Sequence, residues 1–311
     1  MSYRQIYIRK AEKLSLRHHS LIIKKENEEI AIPLEDIASL LLEDHQTVIT
    51  AALLAALSDY YITLIIFDEK HLPITQTLPM NMHYKQLKVF YDQLGVKKPF
   101  NSQLWNRLIH YKIMNQKAVI DSTVKNEDAS IKLKQCIKDL QSSDKTNREA
   151  IAAKIFFEAM YGNVFSRKRK SEDAVNAALN YGYSIIAGQV TRVLTMYGFN
   201  TNIGIHHESM NNSFNLSYDF VEPYRPVVDL YVYKHLNELD YPLPIAIRKE
   251  LIELLQFKVK LNNKFYNLQF AIEETVKSYI KCLENDDSSL LCLPELTIDE
   301  NENQEDDSIE L

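Results

Sequence analysis

Glycine is scarce in this chain: the six among 311 residues stand at positions 95, 162, 182, 188, 198 and 204, never in a G-x-G-x-x-G or G-x-x-x-x-G-K-[ST] spacing. Without such a loop the backbone has no ready cradle for a pyrophosphate, so dinucleotide and P-loop nucleotide binding drop out of the expected functions. Cysteine is scarcer still. Cys136, Cys282 and Cys292 are odd in number, far apart and never C-x-x-C, which argues against a disulfide framework and a thiolate zinc site and for a reducing, cytoplasmic setting. The longest apolar run, residues 48–57, falls short of the roughly 20 residues a membrane-crossing helix needs. Met1-Ser2-Tyr3-Arg4-Gln5 leads straight into strand-like alternation instead of an apolar leader, so neither export nor a membrane partner is expected. Basic residues are missing from the C-terminal stretch: residues 284–311 hold eleven Asp and Glu and no Lys or Arg. The net charge of −6 therefore conceals a mildly basic body, with 36 Lys and Arg against 31 acidic residues ahead of that stretch. A basic body is compatible with a nucleic-acid partner.

What is present is enough apolar material for a substantial core, 46% of residues against 25% charged. Alternation predicts strands at residues 3–8, 14–17, 21–23, 30–32, 39–42 and 62–67, with an Ala- and Leu-rich helix over 48–60 and a Pro73-containing edge strand at 72–78. From about Tyr84 the apolar period changes to three and four, predicting helices near 84–94 and 104–114, then at 128–141, 147–161, 173–197, 225–238, 244–257 and 267–284. No internal repeat is present. The expected fold is α+β: a small N-terminal mainly β domain (1–78), a linker (79–84) and a larger all-α domain (85–285). An acidic tail (286–311) is expected to be disordered around a docking segment at 290–296.

Phosphodiester chemistry on a divalent metal calls for hard oxygen ligands, with or without an imidazole, converging on one ion. Three stretches qualify: Asn147-Arg148-Glu149-Ala150, Gly204-Ile205-His206-His207, and Asp219-Phe220-Val221-Glu222-Pro223-Tyr224-Arg225-Pro226. Each also has a plain structural reading. Thr146-x-x-Glu149 fits a capping box, Asp219-x-x-Glu222 fits a helix start ahead of Pro223, and His206-His207 fits a loop beyond a helix end. Together they offer carboxylate, imidazole and carboxylate from three separate elements, a weak metal-site pattern on its own.

The run from His207 to Pro226 followed by Val227-Val228-Asp229 resembles the signature of the CRISPR-associated protein one family, the adaptation integrases of antiviral defence. Asn147-Arg148-Glu149-Ala150 with Tyr161-Gly162-Asn163, the segment 176–183, and Trp105 with Lys112-Ile113-Met114-Asn115-Gln116 belong to the same resemblance. It covers about residues 3–285 and is nearest to the type II-A variant. The resemblance implies a β platform for homodimerisation and a helical catalytic domain. It also implies an Mg²⁺ or Mn²⁺ site of Glu149, His207 and Glu222 with Asp219 as the neighbouring acid, and attack by a 3′-hydroxyl on a phosphodiester. Implied partners are double-stranded DNA with 3′ overhangs, CRISPR repeat DNA, CRISPR-associated protein two and other type II-A adaptation proteins. The acidic extension after Pro294-Glu295-Leu296 departs from the family pattern.

Candidate DNA contacts are the basic run Arg167, Lys168, Arg169 and Lys170, with Arg148, Lys154, Arg192 and Arg225 near the site in sequence. Tyr181 and Tyr183 either stack on bases or belong to the core. Two rivals remain at this level: a DNA-holding module in which the glutamates are only caps, and a metal nuclease of other purpose that uses water as nucleophile. The tail is expected to compete with DNA for the basic body.

Overall fold

The computed structural model describes residues 4–298 except 27, 70, 72, 80–83 and 169–172; the expected linker falls largely outside the described residues. Ten strands are described here with ten α-helices. The N-terminal part holds β1 (Arg4–Ile8), β2 (Lys13–Arg17), β3 (Ser20–Lys24), β4 (Glu29–Pro33), β5 (Ile37–Leu42), β6 (Val48–Ile49), α1 (Ala51–Asp59), β7 (Thr63–Phe67) and β8 (Pro73–Gln76). They form two four-stranded sheets, β1-β5-β7-β8 and β4-β3-β2-β6. In the first, β1, β5 and β7 run parallel and β8 is antiparallel, with Leu41 opposite Tyr7 and Ile65.

Strand β5, Ile-Ala-Ser-Leu-Leu-Leu, is apolar but for Ser39 and buried at every position, as a strand covered on both faces must be. Its alternate residues serve different cores. Leu40 and Leu42 face Leu14, Leu21 and Leu53 between the sheets, whereas Leu41, with Ile65 and Phe67, joins the core of the helical part.

That part consists of α2 (Gln86–Leu94), α3 (Lys98–Ser122), α4 (Glu127–Lys138), α5 (Arg148–Tyr161), α6 (Ala174–Met196), α7 (Asn215–Val221), α8 (Arg225–Lys234), α9 (Ile245–Glu253), a hairpin of β9 (Lys258–Leu261) and β10 (Lys264–Asn267), and α10 (Leu268–Asn285). The central helix is α6, buried around nearly its whole circumference from Leu179 to Leu194, as an all-round apolar helix should be. Gly182 lets α8 approach it, since a Cβ there would sit 2.5 Å from Val228 Cγ1. Phe67 of the first sheet stacks on Tyr181 of α6 at 5.5 Å, and Gln76 Nε2 donates to the Gly188 carbonyl at 3.1 Å.

The all-helical expectation for 85–285 is corrected at residues 258–267. There Asn262-Asn263, both left-handed (φ 47 and 62), turn a short hairpin that the helical period on either side concealed. The short helix α7, seven residues long, adds to the expected helices. The disordered-tail expectation is corrected for residues 286–298. Leu291, Leu293, Leu296 and Ile298 are buried, and Glu295 pairs with Lys260 of β9. The segment expected to dock elsewhere is docked on its own chain because its alternating leucines complete the helical core. Residues 299–311 lie outside the described residues.

Candidate active site

Helix α3 packs against α5 and the α7–α8 junction and carries the centre of the site. Its buried stripe contains Trp105, Leu108, Lys112, Asn115, Gln116 and Val119, so Lys112 is a cation on an apolar face. The ammonium of Lys112 lies 2.7 Å from Glu149 Oε1 and 2.5 Å from Glu222 Oε2. Glu222 Oε2 is buried, and the Lys112 ammonium is the charge beside it. Arg225 Nη2 holds the other oxygen, Oε1, at 2.9 Å.

Glu149 stands in the first turn of α5. Asn147 adopts the left-handed conformation (φ 53) at the N-cap and gives no side-chain cap. Asp144 takes that role, its carboxylate accepting from the Arg148 and Glu149 amides at 2.6 and 2.9 Å. The capping-box reading of Thr146 and Glu149 is thereby replaced: the cap is supplied from outside the motif, and the Glu149 carboxylate is left for Lys112.

Glu222 opens a 3-10 turn, Glu222–Tyr224, between α7 and α8, and is 3% exposed. Asp219, one turn earlier and fully buried, accepts from the amides of Ile205 (2.5 Å), His206 (3.1 Å) and His207 (3.2 Å), and its Oδ1 meets His207 Nδ1 at 2.7 Å. It caps the 205–207 loop from a distance and orients the imidazole, leaving Nε2 as the nitrogen for a ligand. Gly204 makes this possible, since a Cβ there would come within 2.2 Å of the His207 carbonyl and 2.8 Å of Asp219 Oδ2. His206 serves differently, stacked on Trp105 at 4.1 Å and 5°.

The electrostatics follow from this packing. Burial works against ionisation of Glu222, but Arg225 and Lys112 outweigh it and hold the carboxyl below its ordinary pKa. Lys112 is likewise desolvated, yet Glu222 and Glu149 raise its pKa above that of a free lysine. His207 is raised chiefly by its hydrogen bond to Asp219, with burial opposing.

Among the described residues no group of three His, Cys, Asp or Glu stands ready to hold a metal. Glu149 and Glu222 nevertheless share one positive centre, and His207 lies near enough to feel both charges. By donor chemistry, hard carboxylate oxygens plus an oriented imidazole fit a divalent cation such as Mg²⁺ or Mn²⁺.

The candidate DNA contacts separate. Arg225 is at the site, and Arg148 is partly exposed beside Asp139 at 3.7 Å. Lys154 is exposed and pairs with Glu158 at 3.7 Å, and the Lys168 side chain is exposed. Arg167 turns inward, donating to Asn176 Oδ1 and Asn180 Oδ1 at 2.9 and 2.7 Å. Arg192 is buried, its Nε donating to the Tyr61 carbonyl at 3.0 Å; as a DNA contact it is corrected, because its guanidinium ties α6 to the N-terminal part. Arg169 and Lys170 lie outside the described residues. Tyr181 and Tyr183 are both buried and belong to the core. The Tyr183 ring lies under Arg167 and Arg225 at 5.1 and 4.8 Å, and its hydroxyl donates to Asp229. Lys112, Asp144 and Asp229 had no assigned role at the level of sequence; a polar residue interrupting a buried helical stripe is the signal that marks Lys112.

A family model described as CRISPR associated protein Cas1 matches residues 6–241. The chain is 38% identical over 299 residues to the CRISPR-associated endonuclease Cas1 of Neisseria meningitidis serogroup C (strain 8013), covering 95% of this chain and 97% of that one. Among solved structures it is similar to a casposase bound to integration product, with TM-score 0.73, 19% identity and 91% of each chain covered. It is also similar to a chain of a Cas6-RT-Cas1–Cas2 complex, with TM-score 0.74 and 20% identity, covering 96% of this chain and 37% of that one.

Proposed function

The chain belongs to the CRISPR-associated protein Cas1 family, and from that premise we propose that it is a metal-dependent DNA endonuclease and integrase that inserts captured DNA into a CRISPR array. In this reaction the 3′-hydroxyl oxygen of the captured DNA forms a bond to a phosphorus of the repeat strand. The bond from that phosphorus to its own 3′-oxygen breaks, the attacking hydroxyl loses a proton and the departing oxygen gains one. One phosphodiester replaces another, so no external energy source is needed.

The observation that carries this reading is the meeting of Glu149 and Glu222, 73 residues apart in sequence, on a single positive centre beside an imidazole oriented by Asp219. Glu149, Glu222 and Nε2 of His207 are the groups to hold Mg²⁺ or Mn²⁺, which when bound supplies Lewis-acid stabilisation of the charge gathering on the phosphoryl oxygens. Asp219 fixes the tautomer and direction of His207. Arg225 keeps Glu222 ionised and in place. Arg148, Lys154 and Lys168, exposed or half-exposed, are among the described cations available to DNA phosphates. We further read the strand-rich part as a homodimerisation surface, β4 being the outer edge of its sheet, with a CRISPR-associated Cas2 protein, as in the similar complex, and type II-A adaptation proteins as partners.

The test is a strand-transfer assay with Mg²⁺ or Mn²⁺ and DNA donors carrying free or blocked 3′ ends. Glu149→Gln and His207→Ala are expected to lower transfer by at least about 100-fold while leaving DNA affinity within about 3-fold, because neither faces the DNA as a cation. Product from the blocked donor at the same rate would replace transesterification by hydrolysis with water as nucleophile. DNA binding without any transfer by the natural protein would reduce it to a DNA-holding module, and full activity in both variants would remove Glu149 and His207 from the reaction.

A further inference from the structure

Lys112 is not among the groups that the metal-site reading needs, yet it occupies the centre of the site. Its ammonium is within 2.7 Å of Glu149 Oε1 and 2.5 Å of Glu222 Oε2, on a side chain 8% exposed and rooted in the middle of α3. A divalent cation bonds carboxylate oxygens at roughly 2.0–2.2 Å, so one bound between these two oxygens would overlap the nitrogen. Both cations cannot be accommodated there.

Resting on the metal-site reading above, we propose that Lys112 is the resident counter-cation of the site: it keeps Glu149 and Glu222 in register without metal, and a divalent cation binds by exchange with its ammonium. The lysine thus positions the ligands and at the same time weakens the metal, because every bound ion must first displace a charge already paired twice. Neighbouring charges favour this division of labour. Arg225 stays on Glu222 Oε1 at 2.9 Å and need not move, and Glu149, with a side chain 29% exposed, lies on the open side through which the exchange proceeds.

The experiment measures Mn²⁺ binding to the full chain by electron paramagnetic resonance, with thermal melting of each form in the presence and absence of Mn²⁺. The forms compared are the natural protein, Lys112→Met, Lys112→Gln, Lys112→Arg and His207→Ala. Removing the charge is expected to tighten Mn²⁺ binding at least tenfold in Lys112→Met and Lys112→Gln, whereas Lys112→Arg stays near the natural value. Without metal the two neutral variants melt earlier, and Mn²⁺ returns them to or above the natural melting temperature. A neutral variant that folds only when Mn²⁺ is added supports the exchange in the same way. Equal or weaker binding in both neutral variants, or neither folding with Mn²⁺ present, overturns the proposal while leaving the metal site intact if the natural protein binds Mn²⁺ and His207→Ala does not. No Mn²⁺ binding in any form, or undiminished binding in His207→Ala, overturns the metal-site reading and this inference with it.

Discussion

Two buried carboxylates of this protein meet the same desolvation and resolve it in opposite ways. Glu222 sits between Lys112 and Arg225, and their charges overcome burial so that it remains ionised. Asp229 is as deeply buried, but burial dominates there: its pKa is pushed up to about 7 against the opposing pull of the Tyr183 hydrogen bond, Arg167, Arg225 and Lys112. The sign of the consequence follows from proton linkage. The folded state keeps a proton on Asp229 that the unfolded chain, with an aspartate pKa near 3.9, releases, so stability falls as pH rises between about 4 and 7 and levels off above. Asp229→Asn removes that dependence while keeping an acceptor for the Tyr183 hydroxyl. Melting curves from pH 5 to pH 8 should therefore show the natural protein losing ground to the variant by on the order of 3 °C or more. A gap that does not change with pH would show that Asp229 titrates as an ordinary carboxyl.

At the scale of the element, α3 joins the site to the C-terminal segment. Asn115, one turn beyond Lys112 and buried, donates from Nδ2 to the Pro223 and Pro294 carbonyls at 2.9 Å each and accepts the Leu296 amide at 3.0 Å. One amide side chain thus clamps residues 294–296 against the turn that carries Glu222. Asn115→Ala strands three buried backbone groups at a cost of about 1–3 kcal/mol each where no water enters, and should lower both the melting temperature and strand transfer. Removing residues 291–311 should do the same, and should lower melting further than removing 299–311, because the buried Leu291, Leu293, Leu296 and Ile298 go only with the longer cut. Equal melting of the two truncations would mean that the docked segment does not brace the site. The helices themselves were largely legible, since α4, α5, α6 and α10 lie within three residues of their expected ends, the apolar period of three and four being strong there. Helix α7 and the β9–β10 hairpin were not, because each is too short to establish a period.

Over the whole molecule, the first sheet is packed on both faces, by the second sheet on one and by the helical core on the other. Buried Arg248 of α9 pairs with buried Glu43, just past β5, across the boundary between these two parts. The strand-rich part and the helical part are thus joined by shared packing and by a buried ion pair. Charge is organised on the same scale. Residues 299–311 carry seven Asp and Glu and no Lys or Arg, so deleting them takes the chain from −6 to +1. That deletion should tighten DNA binding at low salt, and the difference should shrink as salt screens the charges over a Debye length of about 8 Å at physiological ionic strength. An identical salt dependence with and without these residues would reject competition between tail and DNA.

By itself the sequence determined the α+β class, the change from strand period to helix period near residue 84, the acidic tail and the residue types of the candidate site, since all of these are properties of composition and local spacing. The tertiary structure alone decided which charges meet. It seated Lys112 between Glu149 and Glu222, chose the imidazole of His207 over that of His206 as the ring partner of Asp219, turned Arg167 and Arg192 inward and docked residues 291–298. Those outcomes depend on distances between segments far apart in the chain, and electrostatic pairing in a desolvated interior changes over a few ångströms, which no local pattern encodes.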